Sequence, residues 1–279
     1  MTKGPFTIMC RGHSGSRFLC DVFLQNDVWM GLCDNKSRDA REFGFRAPAV
    51  RSLISGASRY SEMSETERQS LQEKMRGLVE TSKRNCPAPD SYIAFGWKRP
   101  IGTFTVELLL DACPEAKAVH LIRDGRDVML SRLPRIEDID DPVVRYMVFG
   151  MEGVPDYRGL PLNRKVVRQF RNELEMHHWV TSVRAGMKGR AYAGRYLEVF
   201  YEELCTRPVE TVAKVFDFLN LPLYEKTKQF AREHASARRI GKWTLATDQY
   251  ADAIHIGTPL LQELGYLSRS ASWDDHKTS

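Results

Sequence analysis

A short stretch near the start of the chain, GHSGSRF at positions 12 to 18, combines glycine, hydroxyl and cationic residues. Its glycines let the backbone approach a ligand closely, and its serines supply hydroxyl donors. The histidine and arginine add donors that carry, or can acquire, positive charge. The residues concerned are Gly12, His13, Ser14, Gly15, Ser16, Arg17 and Phe18. Together they are suited to bind a phosphate or a sulfate.

The residues on either side predict a strand and a helix. Residues 6–10 form an apolar run that is too short for a helix, and apolar residues recur at helical spacing from Phe18 to Phe23. In a strand–loop–helix unit, loop amides and the positive end of the helix dipole face one concavity. Taken alone, an ordinary turn with a serine N-cap explains the stretch equally well. The loop differs from GxxxxGK[ST], because no lysine follows its second glycine.

The overall composition is that of a globular protein and excludes several classes. Of the 279 residues, 10% are aromatic and 28% charged, and the net charge is +5 without a dense basic block, which disfavours nucleic acid as a partner. The six cysteines form no CxxC pair, so we expect reduced thiols in a cytoplasmic protein. We find neither a signal peptide nor an apolar run long enough to span a membrane.

Short apolar runs alternate with helical patterns along the chain. The predicted strands are residues 6–10, 92–95, 117–122 and 195–200. The predicted helices after the first are 49–84 with an interruption near 56, 103–113, 125–133, 163–188, 208–219 and 225–234. Residues 28–48 and 134–161 are expected to be irregular.

This alternation predicts an α/β fold: a central parallel sheet of about four to five strands with helices on both faces. We expect one domain over residues 1–279, with a polar, frayed tail from about 268. The loops that begin at Arg11, Gly96, Arg123 and Tyr201 should gather beyond the carboxyl ends of the strands, where such sheets bind ligands.

Three later stretches join the loop at 12 to 18 in a larger pattern: AVHLIRDGRDVMLSRL at 118 to 133, residues 197–223 around Tyr201, and the basic run at 236 to 243. Together, between Phe6 and about Trp243, the four stretches resemble the PAPS-dependent sulfotransferases, a family with a P-loop-like fold. The resemblance implies transfer of a sulfuryl group from 3′-phosphoadenosine 5′-phosphosulfate (PAPS) to a hydroxyl or amine, with release of PAP and no need for a metal. The loop at 12 to 18 is similar to the family's 5′-phosphosulfate loop. Here His13 replaces the usual Lys or Arg, and Arg17 replaces a small hydroxyl residue.

The other matching stretches imply the groups that hold the rest of the nucleotide. AVHLIRDGRDVMLSRL, at positions 118 to 133, is similar to the family's 3′-phosphate motif and implies Arg123 and Ser131 as ligands. Tyr201 matches a tyrosine that helps to hold the adenine. A late basic loop implies four further candidates, Arg238, Arg239, Gly241 and Lys242.

The resemblance also suggests how the transfer is catalysed. Lys98 falls where the family often places a lysine near the transferring sulfuryl group, and Arg17 or His13 could also stabilise charge on the leaving group. Some relatives keep a carboxylate base in the segment after the first helix. The candidates in that segment are Asp34, Asp39 and Glu42. We favour Glu42, because its aromatic neighbour Phe43 could help to desolvate it.

Two alternatives stay open. A nucleotide-dependent kinase of P-loop type would prefer ATP and need magnesium, and a non-catalytic module would bind PAP or another nucleotide without turnover. For the sulfotransferase, the resemblance implies a small-molecule or glycan acceptor. The sequence identifies neither that acceptor nor the oligomeric state.

Overall fold

The computed structural model describes residues 3–44, 48–131, 139–151, 153–245 and 248–268. Its strands are β1 (Lys3–Cys10), β2 (Val28–Trp29), β3 (Ala94–Lys98), β4 (Lys117–Ile122), β5 (Asp156–Tyr157), β6 (Leu160–Pro161) and β7 (Tyr196–Phe200). Five of them form one parallel sheet in the order β2-β3-β1-β4-β7. The remaining two, β5 and β6, pair as a small antiparallel ribbon.

Helices surround this sheet. The first six are α1 (Ser16–Gln25), α2 (Pro48–Ala57), α3 (Glu65–Arg84), α4 (Val106–Ala112), α5 (Gly125–Ser131) and α6 (Pro142–Phe149). The later ones are α7 (Arg164–Gln169), α8 (Arg171–Met187), α9 (Tyr201–Thr206), α10 (Pro208–Phe218), α11 (Glu225–His234) and α12 (Ala251–Glu263). No helix in the described part of the chain is both long and apolar enough to cross a membrane.

Side chains of the central strand β1 alternate between the two faces of the sheet. Phe6 and Ile8 are buried on one face in a cluster with residues of α1 and α10, whereas Met9 is buried on the other with residues of α3 and α4. Because a strand directs successive side chains to opposite faces, helices must cover both sides of the sheet. The predicted α/β fold, with a parallel sheet between helices, is confirmed.

The predicted strands are close to the observed ones, with two corrections. The prediction ended the second strand before Gly96, but β3 continues to Lys98. Residues 28–48 were expected to be irregular, yet Val28–Trp29 forms the edge strand β2. Two residues are too few for a periodic pattern, so the sequence carries no signal for this strand.

The helix predictions need three corrections. The single helix expected over 163–188 is two helices, α7 and α8, which meet at Phe170. The segment 134–161, expected to be irregular, contains α6, and α12 was not predicted. The helix predicted over 125–133 is observed as α5 from Gly125 to Ser131. Residues 132–133, and the tail from 269 onward, lie outside the described residues.

Candidate active site

The loop that joins β1 to α1 consists of residues 11–15, and we call it the first loop. It lies where the sequence predicted it. Its last residue, Gly15, is the N-cap of α1 with a φ of 81°, and no side chain caps the helix by a hydrogen bond. The Ser14 hydroxyl donates instead to the carbonyl of Arg11 at 2.6 Å. A serine N-cap therefore does not account for this loop. The first amides of α1 lack a side-chain acceptor, which is the arrangement that favours an anion.

His13 in this loop and Arg17 in the first turn of α1 have different surroundings. His13 is exposed, with a φ of 71°, and its carbonyl faces Arg123. The Arg17 side chain is 67% exposed, and its guanidinium donates to the carbonyl of Lys36 at 3.2 Å. Arg17 thus links the start of α1 to the segment that carries the candidate bases, while Phe18 packs on Phe230.

Gly15 is in close contact with Tyr201, the first residue of α9. A Cβ atom at position 15 would lie only 2.4 Å from the Tyr201 ring. The ring is buried, and burial raises the pKa of its phenol well above the usual value. The loop after β1 and the residue after β7 therefore form one surface, and a side chain at position 15 would collide with it.

Arg123 joins three parts of the site. Its guanidinium donates to the carbonyl of His13 at 2.9 Å, to the hydroxyl of Ser131 at 3.3 Å and to the carbonyl of Arg239 at 2.5 Å. It also lies 4.5 Å from the centre of the Tyr201 ring. The first loop, α5 and the late basic loop therefore meet at this one buried side chain.

The late basic loop is fastened to α5 by Asp127. The Asp127 carboxylate accepts hydrogen bonds from the backbone amides of Gly241 at 2.8 Å and Trp243 at 3.3 Å. Burial raises the pKa of Asp127, and the nearby Arg123 opposes that effect. The side chains of Arg238, Arg239 and Lys242 are exposed, so the loop contacts the site mainly through its backbone.

Lys98 ends β3 beside β1, opposite Ile8. Its side chain is only 3% exposed; the ammonium donates to the carbonyl of Ser37 at 2.8 Å and to the carboxylate of Asp39. Arg99 lies 3.4 Å from the other Asp39 oxygen. A buried lysine thus lies beside β1, the strand that leads into the first loop, with one of the three candidate bases bound to it.

The other two candidate bases have different contacts. The Asp34 carboxylate accepts hydrogen bonds from the amides of Lys36 at 2.9 Å and Ser37 at 2.6 Å. Burial alone would raise the pKa of Asp34, but hydrogen bonds from Ser37 and its neighbours lower that pKa well below the usual value. One oxygen of Glu42 accepts from the amide of Leu32 and the hydroxyl of Ser82. Its other oxygen is buried without a hydrogen-bond partner. Asp39 is the one of the three that contacts Lys98.

Two supporting contacts were missed in the sequence. Arg11, directly after β1, forms a buried ion pair with Glu175 of α8 at 2.6 Å. Trp179, also in α8, donates from its indole nitrogen to the carbonyl of Arg123 at 3.0 Å. Their separation along the chain left no local pattern to find them. The sequence could have identified Asp127 as a supporting residue, because it lies four residues after Arg123 in the stretch that matches the family's 3′-phosphate motif.

The site has no evident metal centre in the part of the chain that is described. Within those residues, no three His, Cys, Asp or Glu side chains are grouped so that they could hold a metal ion. The groups that converge are donors: arginine, lysine, hydroxyls and the amides at the start of α1. Such an arrangement binds anions and stabilises negative charge during a reaction.

Solved structures share this fold. A sulfotransferase from Mycobacterium avium, STF9, is 14% identical and superimposes with a TM-score of 0.52 over 96% of this chain and 77% of its own. Mouse sulfotransferase SULT7A1, solved as a complex with PAP, is 12% identical, with a TM-score of 0.51 over 99% of this chain and 90% of its own. At these identities the likeness establishes the fold.

Sequence comparison identifies the family. Mouse carbohydrate sulfotransferase 2 is 27% identical over 151 residues, which cover 44% of this chain and 26% of that protein; its human counterpart is 26% identical over the same length. The chain thus matches only about a quarter of the length of these curated relatives. A sequence model described as "Sulfotransferase family" matches residues 6–226. Because this match spans most of the chain and includes the loop, Lys98, Arg123 and Tyr201, the chain belongs to the sulfotransferase family.

Proposed function

We propose that the protein transfers a sulfuryl group from PAPS to a hydroxyl or amine of a small-molecule or glycan acceptor and releases PAP. The observation that carries this proposal is the position of Arg123, which bonds both to the carbonyl of His13 and to that of Arg239. A nucleotide with phosphates at both its 5′ and 3′ ends needs two anion sites within one pocket. We assign these two sites to the first loop and to Arg123, which meet at the carbonyl of His13.

The 5′-phosphosulfate is assigned to the first loop. In this proposal the backbone from Gly12 to Ser16 and the start of α1 hold its oxygens, because α1 lacks a side-chain cap. The buried hydroxyl of Ser16 lies at the first turn of the helix. Arg17, being exposed, adds positive charge at the mouth of the site.

The 3′-phosphate is assigned to Arg123, Ser131 and the late basic loop. The planar guanidinium offers a fork of donors that suits a phosphate dianion. On binding, it would exchange its backbone carbonyl partners for phosphate oxygens. Arg238, Arg239, Gly241 and Lys242 belong to a loop that Asp127 already holds beside α5. Tyr201, adjacent to both anion sites, is assigned to the adenine.

Lys98 and Asp39 are assigned to the chemical step. As PAPS binds, the ammonium of Lys98 moves from Asp39 to an oxygen of the transferring sulfuryl group. Asp39 is then able to accept the proton of the acceptor hydroxyl while the new oxygen–sulfur bond forms. The bond from sulfur to the 5′-phosphate oxygen breaks in line, and the first loop stabilises the charge left on PAP. This replaces Glu42, favoured from the sequence, as the proposed base, because Glu42 contacts Leu32 and Ser82 instead.

Support for a glycan acceptor comes from the resemblance to carbohydrate sulfotransferase 2. We also propose that the whole chain is one sulfotransferase domain, since its buried clusters all border the same sheet or the helices packed on it. The cytoplasmic location and the lack of a nucleic-acid partner stay predictions from the sequence.

Binding and turnover test the proposal separately. Titration with PAP and with ATP should show a clear preference for PAP, with no requirement for magnesium. Labelled PAPS, incubated with a panel of sugars, phenols and amines, should then give a labelled product. Tighter binding of ATP, with activity abolished by a chelator, would favour a kinase. Tight PAP binding without transfer to any acceptor would favour a non-catalytic nucleotide-binding module.

A further inference from the structure

A polar cleft of about 560 Å³ lies beside α5, between the start of α8 and the start of α12. Its walls are residues 129–130 of α5, residues 168–173 around the junction of α7 and α8, and residues 249–253 at the start of α12. We call it the polar cleft. Its volume falls within the range of pockets that bind small molecules, about 300–1,000 Å³. The polar cleft is therefore large enough to be a binding site.

The polar cleft is next to the proposed nucleotide site. Leu130, which lines the cleft, directly precedes Ser131, whose hydroxyl accepts a hydrogen bond from Arg123 at 3.3 Å. The first turns of α8 line the cleft too, and the same helix carries Glu175, the buried partner of Arg11. Among the described residues, none of those assigned to the nucleotide lines the cleft. A ligand there would be a neighbour of PAPS rather than its competitor.

The two acids in the described walls of the polar cleft are already paired. The guanidinium of Arg158 lies 3.0 Å from an oxygen of Glu173 and 3.0 Å from an oxygen of Asp252. The hydroxyl of Tyr157 also donates to Glu173, at 2.7 Å. Because both carboxylates have a cationic partner, the cleft offers little to a metal ion or to a cationic ligand.

The side chains that are left to meet a ligand are mainly amides and an aromatic ring. Gln169, Asn172 and Gln249 line the polar cleft, and none of their amides makes a side-chain hydrogen bond to a described residue. The half-buried ring of Tyr250 lines it as well, and the exposed Arg168 adds a cation at its rim. An amide can donate to one hydroxyl and accept from another, and an aromatic ring offers an apolar face. A sugar presents the complementary groups, with hydroxyls at its edge and C–H bonds on its faces.

We propose that the polar cleft is a carbohydrate-binding site. It holds sugar residues of a glycan acceptor other than the residue that receives the sulfuryl group, and Arg168 suits an acidic sugar in that chain. This role as an acceptor subsite rests on the proposed function, whereas the binding of sugar does not. Contacts with remote parts of a substrate supply binding energy, so the cleft would favour long acceptors over single sugars.

Retention on a glycan array tests sugar binding without any turnover. The fluorescently labelled full chain is applied to immobilised neutral and acidic oligosaccharides, with and without saturating PAP. We expect retention on at least one oligosaccharide under both conditions, because the cleft and the nucleotide site share no assigned residue. Absence of retention on every glycan would overturn the proposal. Retention that PAP abolishes would also overturn it, since the sugar would then occupy the nucleotide site.

Three variants show whether a retained glycan is bound in the polar cleft. Asn172→Ala and Gln249→Ala should each weaken the apparent affinity about fivefold, the loss typical of one hydrogen bond. Ala251→Trp, which adds an indole at an exposed position of the cleft wall, should abolish retention. Gln262→Ala removes an exposed amide of α12 outside the cleft and is the matched control. Retention of the Ala251 variant equal to that of the wild type would overturn the proposal.

PAP titration of the same proteins separates this inference from the proposed function. Every variant should bind PAP as the wild type does, which also shows that it is folded. Transfer to small alcohols or amines without retention on any glycan would overturn the sugar site and leave the proposed function standing. Glycan retention by a protein that does not bind PAP would support the sugar site and contradict the proposed function.

Discussion

Lys98 is an ammonium group that the fold removes from water and holds beside the end of β1. Its partners, Ser37 and Asp39, come from a single turn, and Asp34 shapes this turn by accepting the amides of Lys36 and Ser37. In the proposed mechanism this buried cation exchanges Asp39 for an oxygen of the sulfuryl group as PAPS binds, so it is already in place when negative charge develops there. This is the physical basis for assigning it to the sulfuryl group rather than to fold stability.

Replacing Lys98 by alanine should lower the turnover number by about 100-fold or more, the loss typical of removing one preorganised donor. PAP affinity should change by only a few fold, because the phosphate-binding groups are elsewhere and Arg99 still pairs with Asp39. Steady-state assay with labelled PAPS, alongside PAP titration, measures both. Lys188→Ala, which removes an exposed lysine paired with Glu107, is the control. A variant that keeps normal turnover would remove Lys98 from the mechanism.

Arg123 should determine nucleotide affinity through its shape as well as its charge. The Arg123→Lys variant keeps the charge but loses the planar fork, so PAP should bind about 10- to 100-fold more weakly, equivalent to about 1.5–3 kcal/mol for charged hydrogen bonds. Calorimetric titration with PAP checks this. Arg184→Lys, at an exposed ion pair with Glu263, should bind PAP normally. Equal affinities in both variants would contradict the assignment of the 3′-phosphate.

Among the elements, the late basic loop depends on α5 for its position. Removing the carboxylate in Asp127→Ala deletes the acceptors of the Gly241 and Trp243 amides. Because the loop then opens more often, trypsin should cut after Arg238, Arg239 or Lys242 about tenfold faster, as a loss of about 1.4 kcal/mol predicts. Timed digestion followed by mass spectrometry gives the rate at each bond.

The matched control for that experiment is Asp217→Ala, at an exposed position of α10. Its cleavage pattern should equal that of the wild-type protein. Added PAP should slow cutting of the Asp127 variant if the nucleotide contacts the loop. Unchanged cleavage between 238 and 242 would mean that other contacts hold this segment.

The same elements show what could be predicted from sequence. The central strands β1 and β4 were predicted because buried strands are continuous apolar runs, and the segments after them matched family motifs. The helix α6 was missed because acids, glycines and prolines surround it, and its N-cap, Asp141, looked like another loop acid. The unpredicted α12 contains Pro259, a residue that usually ends a helix. Such elements form because tertiary packing overrides local preference.

The residues that we propose to bind the nucleotide or to act in the transfer were easier to predict than the residues that support them. Arg123 directly follows β4 and Lys98 is the last residue of β3, so the topology of the parallel sheet brings both to one edge. The choice among three acids needed coordinates, since only the path of the segment after β2 brings Asp39 to Lys98. The partner of Arg11 is 164 residues away in Glu175, and no spacing rule reaches that far.

For the molecule as a whole, Glu202 makes stability depend on pH. It is fully buried between the amide of Asp124 and the hydroxyl of Tyr266, at 3.0 Å from each, and burial raises its pKa to about 8 from an ordinary 4.5. Between these values the folded state holds the proton more tightly than the unfolded state. The free energy of unfolding should therefore fall as pH rises from 4.5 to 8.

Glu202→Gln never ionises, so its midpoint of thermal unfolding should decline less between pH 6.5 and 9 than that of the wild type. This range separates the effect from that of His120, whose burial lowers its pKa to about 4 from 6.5. Protonation of His120 lowers the free energy of unfolding only as pH falls from 6.5 to about 4, and it does so in both proteins. If the unfolding midpoints of the two proteins decline equally above pH 6.5, Glu202 is not the source of the pH dependence.

The bonds of Arg123 to His13 and Arg239 span 110 and 116 residues of sequence. Proteins emerge from the ribosome from the N-terminus onward, so this pocket can be completed only after residue 239 has been synthesised. A nascent chain stopped at residue 226 would carry everything that the family's sequence model matches. It would still lack the late basic loop to which we assign part of the 3′-phosphate site, and we expect such a truncated product to bind no PAP.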